Sequence, residues 1–172
     1  MAVCAAEVLT YTKAMRILGI DPGTGILGFG VVEINGQNMT LVEAGVVRTP
    51  PHTPHDERLE EIYDAITEII QTSKPDMVSI EKLFFSKNIT TAMTVAEARG
   101  VVVLAARKAK LPIFEYTPMQ IKQSLTGYGK ADKKQVQEMV RMQLGLREVP
   151  KPDDCADALA TAITHALMSR ST

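Results

Sequence analysis

The sequence predicts an α/β domain in which three antiparallel strands, followed by two parallel ones, build a five-stranded mixed sheet flanked by helices. Three observations carry this expectation. An Asn35-Gly36 dipeptide between two strand-like runs marks an early hairpin. Apolar residues at helical spacing (Leu59, Ile62, Tyr63, Ile66, Ile69, Ile70) mark the first crossover helix. Short apolar runs then alternate with helical segments in the order β-β-β-α-β-α-β-α, so a meander precedes the crossovers and a simple doubly wound sheet is excluded.

In chain order, residues 1–14 show no clear period and read as a flexible leader or an upstream start, leaving 15–172 as a single domain. Residues 16–20 (RILGI) form an apolar run ended by Asp21-Pro22-Gly23-Thr24-Gly25, the mark of a buried strand entering a tight turn. Residues 27–34 and 39–48 are the arms of the hairpin. The first helix stops at Pro75-Asp76, and 77–80 (MVSI) is a strand delivering Glu81. The Ala-, Val- and Leu-rich stretch 89–110 reads as a long helix and 112–116 as a fifth strand. Thr117 and Pro118 are a cap and first-turn pair for a helix over 118–125. Helices over 131–144 and 153–168 close the chain.

A chain of 172 residues with 45 % hydrophobic content buries a sizeable core without disulfides. Its two cysteines, Cys4 and Cys155, form no framework and no C-x-x-C, which fits reduced thiols in a cytoplasmic protein. No apolar run approaches the roughly 18 residues of a membrane span. The net charge of −1 hides an asymmetry: residues 82–134 hold ten Lys or Arg against three acids, a net of +7, leaving −8 for the rest. The ordinary reading of such a bias is a set of solvated helix faces; between acidic motifs it also fits a surface for a polyanion.

Asp21 and Glu81 are expected just past the ends of the first and fourth strands. If those strands are parallel neighbours, both carboxylates enter the crevice where open α/β sheets bind ligands. Asp154 and Asp157 stand three apart at the start of the last helix, hence on one face. Four carboxylates converging without Lys or Arg partners repel one another unless a cation neutralises them, and hard oxygen ligands select Mg²⁺ or Mn²⁺. Each acid also has a plainer reading: Asp21 as a turn former, the Asp pair as complements to the helix dipole, Asp153 as the helix cap. Glu81, wedged between MVSI and Leu83-Phe84-Phe85, is poorly placed for mere solvation. His52, His55 and His165 have no ligand spacing and read as surface or core residues.

The segments Ile20-Asp21-Pro22-Gly23, Ile80-Glu81-Lys82-Leu83-Phe84 with Lys87-Asn88, Glu97-Ala98-Arg99-Gly100 and Asp154-Cys155-Ala156-Asp157-Ala158-Leu159 resemble, in order, those of the bacterial RuvC Holliday-junction resolvases. The similarity runs from Met15 to about Met168. It implies a ribonuclease H-like fold and a homodimer that makes paired incisions across a four-way DNA junction during recombination and repair, leaving 5′-phosphate and 3′-hydroxyl ends. It further implies that Asp21, Glu81, Asp154 and Asp157 are catalytic acids holding two Mg²⁺ ions per site, with Mn²⁺ able to substitute. Asp21 would bridge the ions, Glu81 and Asp157 would complete one each, and Asp154 would be a further ligand or orient water. By the same resemblance Phe84, Lys87, Asn88, Lys122 and Lys133 lie near DNA, and RuvA and RuvB are branch-migration partners. Lys130 and Lys134 are added as phosphate contacts, against a reading as ordinary helix-surface lysines. Lys82 and Asp153 depart from the family pattern.

Two rivals remain. Asp21-Pro22-Gly23-Thr24-Gly25 also looks like the phosphate loop of actin-like and Hsp70-like ATPases, which need two such lobes. A junction-binding module that only grips DNA would have no use for four acids.

Overall fold

A computed structural model describes residues 14–83 and 89–170, with side chains from residue 92 onward in the second block. Strands β1 (Met15–Asp21), β2 (Ile26–Asn35), β3 (Asn38–Arg48), β4 (Met77–Glu81) and β5 (Ile113–Tyr116) form one sheet in the order β3-β2-β1-β4-β5. The β1–β2 and β2–β3 pairs are antiparallel and β1–β4 and β4–β5 parallel, as the meander-then-crossover pattern predicts. The hairpin differs by one residue from the Asn-Gly expectation. Asn35 pairs with Asn38, so the loop is Gly36-Gln37, and Gly36 takes φ 59°. Glycine first in a two-residue loop suits a II′ turn, whose twist matches the strands.

Helices α1 (His55–Ser73) and α2 (Ile89–Lys108) cover one face, and α3 (Pro118–Thr126), α4 (Lys133–Gln143) and α5 (Asp153–Ser169) the other. Thr117 and Asp132 cap α3 and α4 with reciprocal Gln120 and Gln135 bonds, so α4 starts two residues later than its apolar pattern implies. Alternation sorts β1: Leu18 and Ile20 pack toward α1 and α2, Ile17 and Gly19 toward α5.

Helix α5 lies close on the sheet because glycines and alanines meet there. A Cβ at Gly19 would sit 2.1 Å from the Ala158 carbonyl oxygen, and one at Gly28 2.1 Å from that of Asp154. Ala156, Ala158, Ala160 and Ala162 are fully buried on the helix side. Ser79 Oγ donates to the Thr161 carbonyl at 2.8 Å, pinning α5 to β4 as well. These contacts fix where the first turn of α5 meets the ends of β1 and β2.

Candidate active site

Asp21 and Glu81 are the last residues of β1 and β4, not the first beyond them, since Asp21 pairs with Gly28 and Glu81 with Tyr116. The strands carry their ladders one residue further than their apolar runs. Ile20 is opposite Ile80, which sets Asp21 and Glu81 side by side. Gly19 and Ser79 face α5, so the residues two further on, Asp21 and Glu81, face it too. Asp154 arrives through its backbone contact with Gly28, the partner of Asp21. Asp157 follows one turn later on α5.

The electrostatics follow from this crowding. Burial, then repulsion from Asp157, Glu81 and Asp154, pushes the Asp21 carboxyl up to about 7, with Lys133 opposing. Burial and the Asp157 charge raise Glu81, with Lys122 opposing. Burial raises Asp157 as well, against its bond to Lys133. Such a group of acids gains most from a cation at its centre.

The expectation that no basic residue enters the cluster is corrected. Lys133, the first residue of α4, places Nζ 2.9 Å from Asp157 Oδ2 and 3.3 Å from Asp153 Oδ2. Asp153 is likewise not the cap: Pro152 holds the N-cap position in extended conformation, no side chain bonds the free N–H groups there, and Asp153 is already helical. Among the described residues no three Asp, Glu, His or Cys side chains stand close enough together to hold a metal ion as they are placed. The Lys133 ammonium instead stands in as a cation, and the all-carboxylate oxygen set fits a hard divalent ion.

A cleft of about 240 Å³ opens between Glu81, Lys122, Lys133 and Asp157, over Ile121 and Val136. Lys122 and Lys133 are thus brought to the acids. Lys130 lines a larger apolar groove with Met119, Tyr128 and Met168, and Lys134 a third hollow with Asp132 and Glu138; neither borders the acid cleft. Phe84, Lys87 and Asn88 lie outside the described residues. Of the Glu97-Ala98-Arg99-Gly100 motif, Glu97 bonds His55 at 2.5 Å and Arg99 pairs with Glu115, tying α2 to α1 and β5. His165 is a core residue, bonded to Tyr116 Oη at 2.7 Å and stacked on Phe114.

Sequence reasoning overlooked Arg58. In α1, its Nε donates to buried Thr49 Oγ1 at 2.8 Å, and Thr49 Oγ1 donates to the Thr24 carbonyl at 2.5 Å. The available signal was a lone arginine in an otherwise acidic helix start, behind Asp56 and Glu57.

The family model for crossover junction endodeoxyribonuclease RuvC matches residues 17–165. The crossover junction endodeoxyribonuclease RuvC of Brevibacillus brevis is 57 % identical over 152 residues, 88 % of this chain and 92 % of that one. Among solved structures, Thermus thermophilus RuvC superposes with a TM-score of 0.86 at 42 % identity, covering 91 % of this chain and 96 % of that one. The same protein in complex with Holliday junction substrate superposes at 0.84 with 40 % identity over the same shares. With a ribonuclease H-like sheet and its acids at the ends of β1, β4 and the start of α5, this chain belongs to the RuvC family of crossover junction endodeoxyribonucleases.

Proposed function

We propose that Asp21, Glu81, Asp154 and Asp157 hold two Mg²⁺ ions, replaceable by Mn²⁺, and that the chain uses them to resolve four-way DNA junctions by paired symmetric nicks. The observation that carries this reading is the meeting of Asp21 and Glu81, side by side at the ends of β1 and β4, with the start of α5 that bears Asp154 and Asp157, a crowding that raises the Asp21 carboxyl. No structural requirement asks for four carboxylates at one sheet edge; a cation site does. Asp21, central to the group, would hold metal together with Glu81 on the β4 side and Asp157 on the α5 side. When bound, the ions would neutralise charge at the phosphate and acidify a water for hydrolysis of the phosphodiester to 5′-phosphate and 3′-hydroxyl ends.

The protein's own contribution is placement. Lys122 and Lys133 border the acids at the cleft and supply cations for the strand being cut, while Ile121 and Val136 give it an apolar floor. Phe84, Lys87, Asn88, Lys130 and Lys134 are assigned to DNA on resemblance and charge. Two opposed cuts need two opposed sites, which a two-fold homodimer supplies. Met93 and Leu104, 59 % and 54 % exposed on α2, are apolar surface that a second copy would cover. RuvA and RuvB are the expected partners on the junction. The buried free thiol of Cys155 suits the reducing cytoplasm, and among the described residues no helix is long and apolar enough to cross a membrane.

The test is a labelled four-way junction incubated with Mg²⁺ or with EDTA. Symmetric nicks with Mg²⁺ alone, lost by on the order of 10³-fold or more in Asp21→Asn with junction binding kept, are expected. Cutting in EDTA, or at the normal rate by Asp21→Asn, refutes the reading.

A further inference from the structure

We infer that Arg58, aimed by Thr49 across the Gly25 backbone, is a second seat for a DNA phosphate, on the opposite flank of the acids from Lys122 and Lys133. The inference rests on the junction-cleaving reading and extends it to how the strand is held.

The sheet order supplies the first argument. Reading across the C-terminal edge of β1, Lys122 and Lys133 lie on the β4–β5 side, on α3 and α4. Thr49 follows β3, Gly25 precedes β2 and Arg58 begins α1, all on the other side. The four residue steps from Asp21 to Gly25 span at most about 14 Å, the rise of about four nucleotides along one strand. A strand that crossed the C-terminal edge of the sheet over Asp21 would therefore find a cation toward either side.

The Arg58 guanidinium is pinned at one donor and open at its fork. Its Nε is committed to Thr49 Oγ1 at 2.8 Å, and that hydroxyl is locked by the Thr24 carbonyl at 2.5 Å. Thr49 N–H also donates to the Gly25 carbonyl at 3.2 Å, so the loop and its arginine form one unit. A Cβ at Gly25 would lie 3.3 Å from Arg58 Nη2, so the fork lies directly against the loop backbone and glycine keeps that approach open. Among the described residues Arg58 has no carboxylate partner within 4.0 Å, although Asp56 and Glu57 share its turn, and neither Nη group is a buried donor lacking a partner. A half-buried arginine with one donor fixed and its fork open is prepared for a bidentate anion, which a phosphate is and a single water is not.

The experiment uses the full chain carrying Asp21→Asn, so that binding is read without cutting, and a labelled four-way junction at several salt concentrations. Adding Arg58→Gln is expected to weaken binding about tenfold and to lower the slope of log K against log salt by about one. Arg58→Lys keeps the charge and gives up the fork, so it should restore the slope with affinity still several-fold below the parent. An Arg58→Gln protein with unchanged slope overturns the seat, whatever its affinity, because a purely structural staple changes no phosphate count. Should Arg58→Gln fail to fold, Arg58→Lys decides, and affinity equal to the parent's refutes the proposal. A parent that grips the junction no better than linear duplex overturns the junction reading itself.

Discussion

The two ends of β1 handle charge in opposite ways. At its start, Arg16 is matched: Nε meets Glu33 at 2.8 Å, Nη1 donates to the Ser73 carbonyl at 2.9 Å, and its backbone N–H donates to Asp76 at 2.8 Å. At its end, Asp21 shares space with Glu81, Asp154 and Asp157, and a single lysine, Lys133, paired with Asp157 and Asp153, offsets only part of that charge. The first end ties the end of α1 and the β4 approach to the sheet. The second is left in electrostatic debt, which stability alone does not explain and a bound cation does.

The largest expected effect comes from breaking the approach of α5 to the acid end without touching an acid. Gly28→Ala forces a methyl to within 2.1 Å of the Asp154 carbonyl oxygen, so α5 must move. Denaturant unfolding should show a loss of about 3 kcal/mol, and junction cleavage should fall with it. A Gly28→Ala enzyme that cuts normally would show that the position of Asp154 is not critical.

Next comes pH. Asp21 is raised in the folded protein from 3.8 to about 7, so between those values the native state binds more protons than the unfolded one. Stability of the metal-free protein therefore declines as pH rises from about 4 to about 7 and then levels off with respect to this group. Glu81 and Asp157, also raised, act in the same direction. Thermal midpoints in EDTA should fall by several degrees over that window, and added Mg²⁺ should remove the fall. Midpoints independent of pH would mean the acids are not crowded in solution.

The smallest effect belongs to the matched end. Arg16→Met should cost about 1 kcal/mol, because Arg16 and Glu33 side chains are 37 % and 31 % exposed and such pairs are worth little. Cleavage by the folded fraction should be unchanged in a junction assay.

Much of this was legible in the chain itself. MVSI before Glu81, RILGI before Asp21 and the D-x-x-D of α5 are local patterns, and the strand order made them neighbours. What escaped depends on contacts that no local pattern encodes. Lys133 meets Asp157 across 24 positions of sequence because the capping of α4 by Asp132 aims its first turn at α5. Asp153 beside a proline looked like a cap, yet the turn to helical dihedrals falls after Pro152, leaving Asp153 inside. The hairpin slipped by one because Asn35 still pairs with Asn38 in the ladder. Arg58 was hidden by its acidic neighbours, and only the fold brings Thr49 to it.

The central claim is that the acid end of β1 is a cation site, and calorimetric titration of Mn²⁺ into the DNA-free protein tests it most directly. The account predicts binding to the wild-type chain that is abolished or reduced at least tenfold in both Asp21→Asn and Glu81→Gln, with Arg16→Met indistinguishable from wild type. Equal Mn²⁺ binding by the wild-type, Asp21→Asn and Glu81→Gln proteins would contradict it.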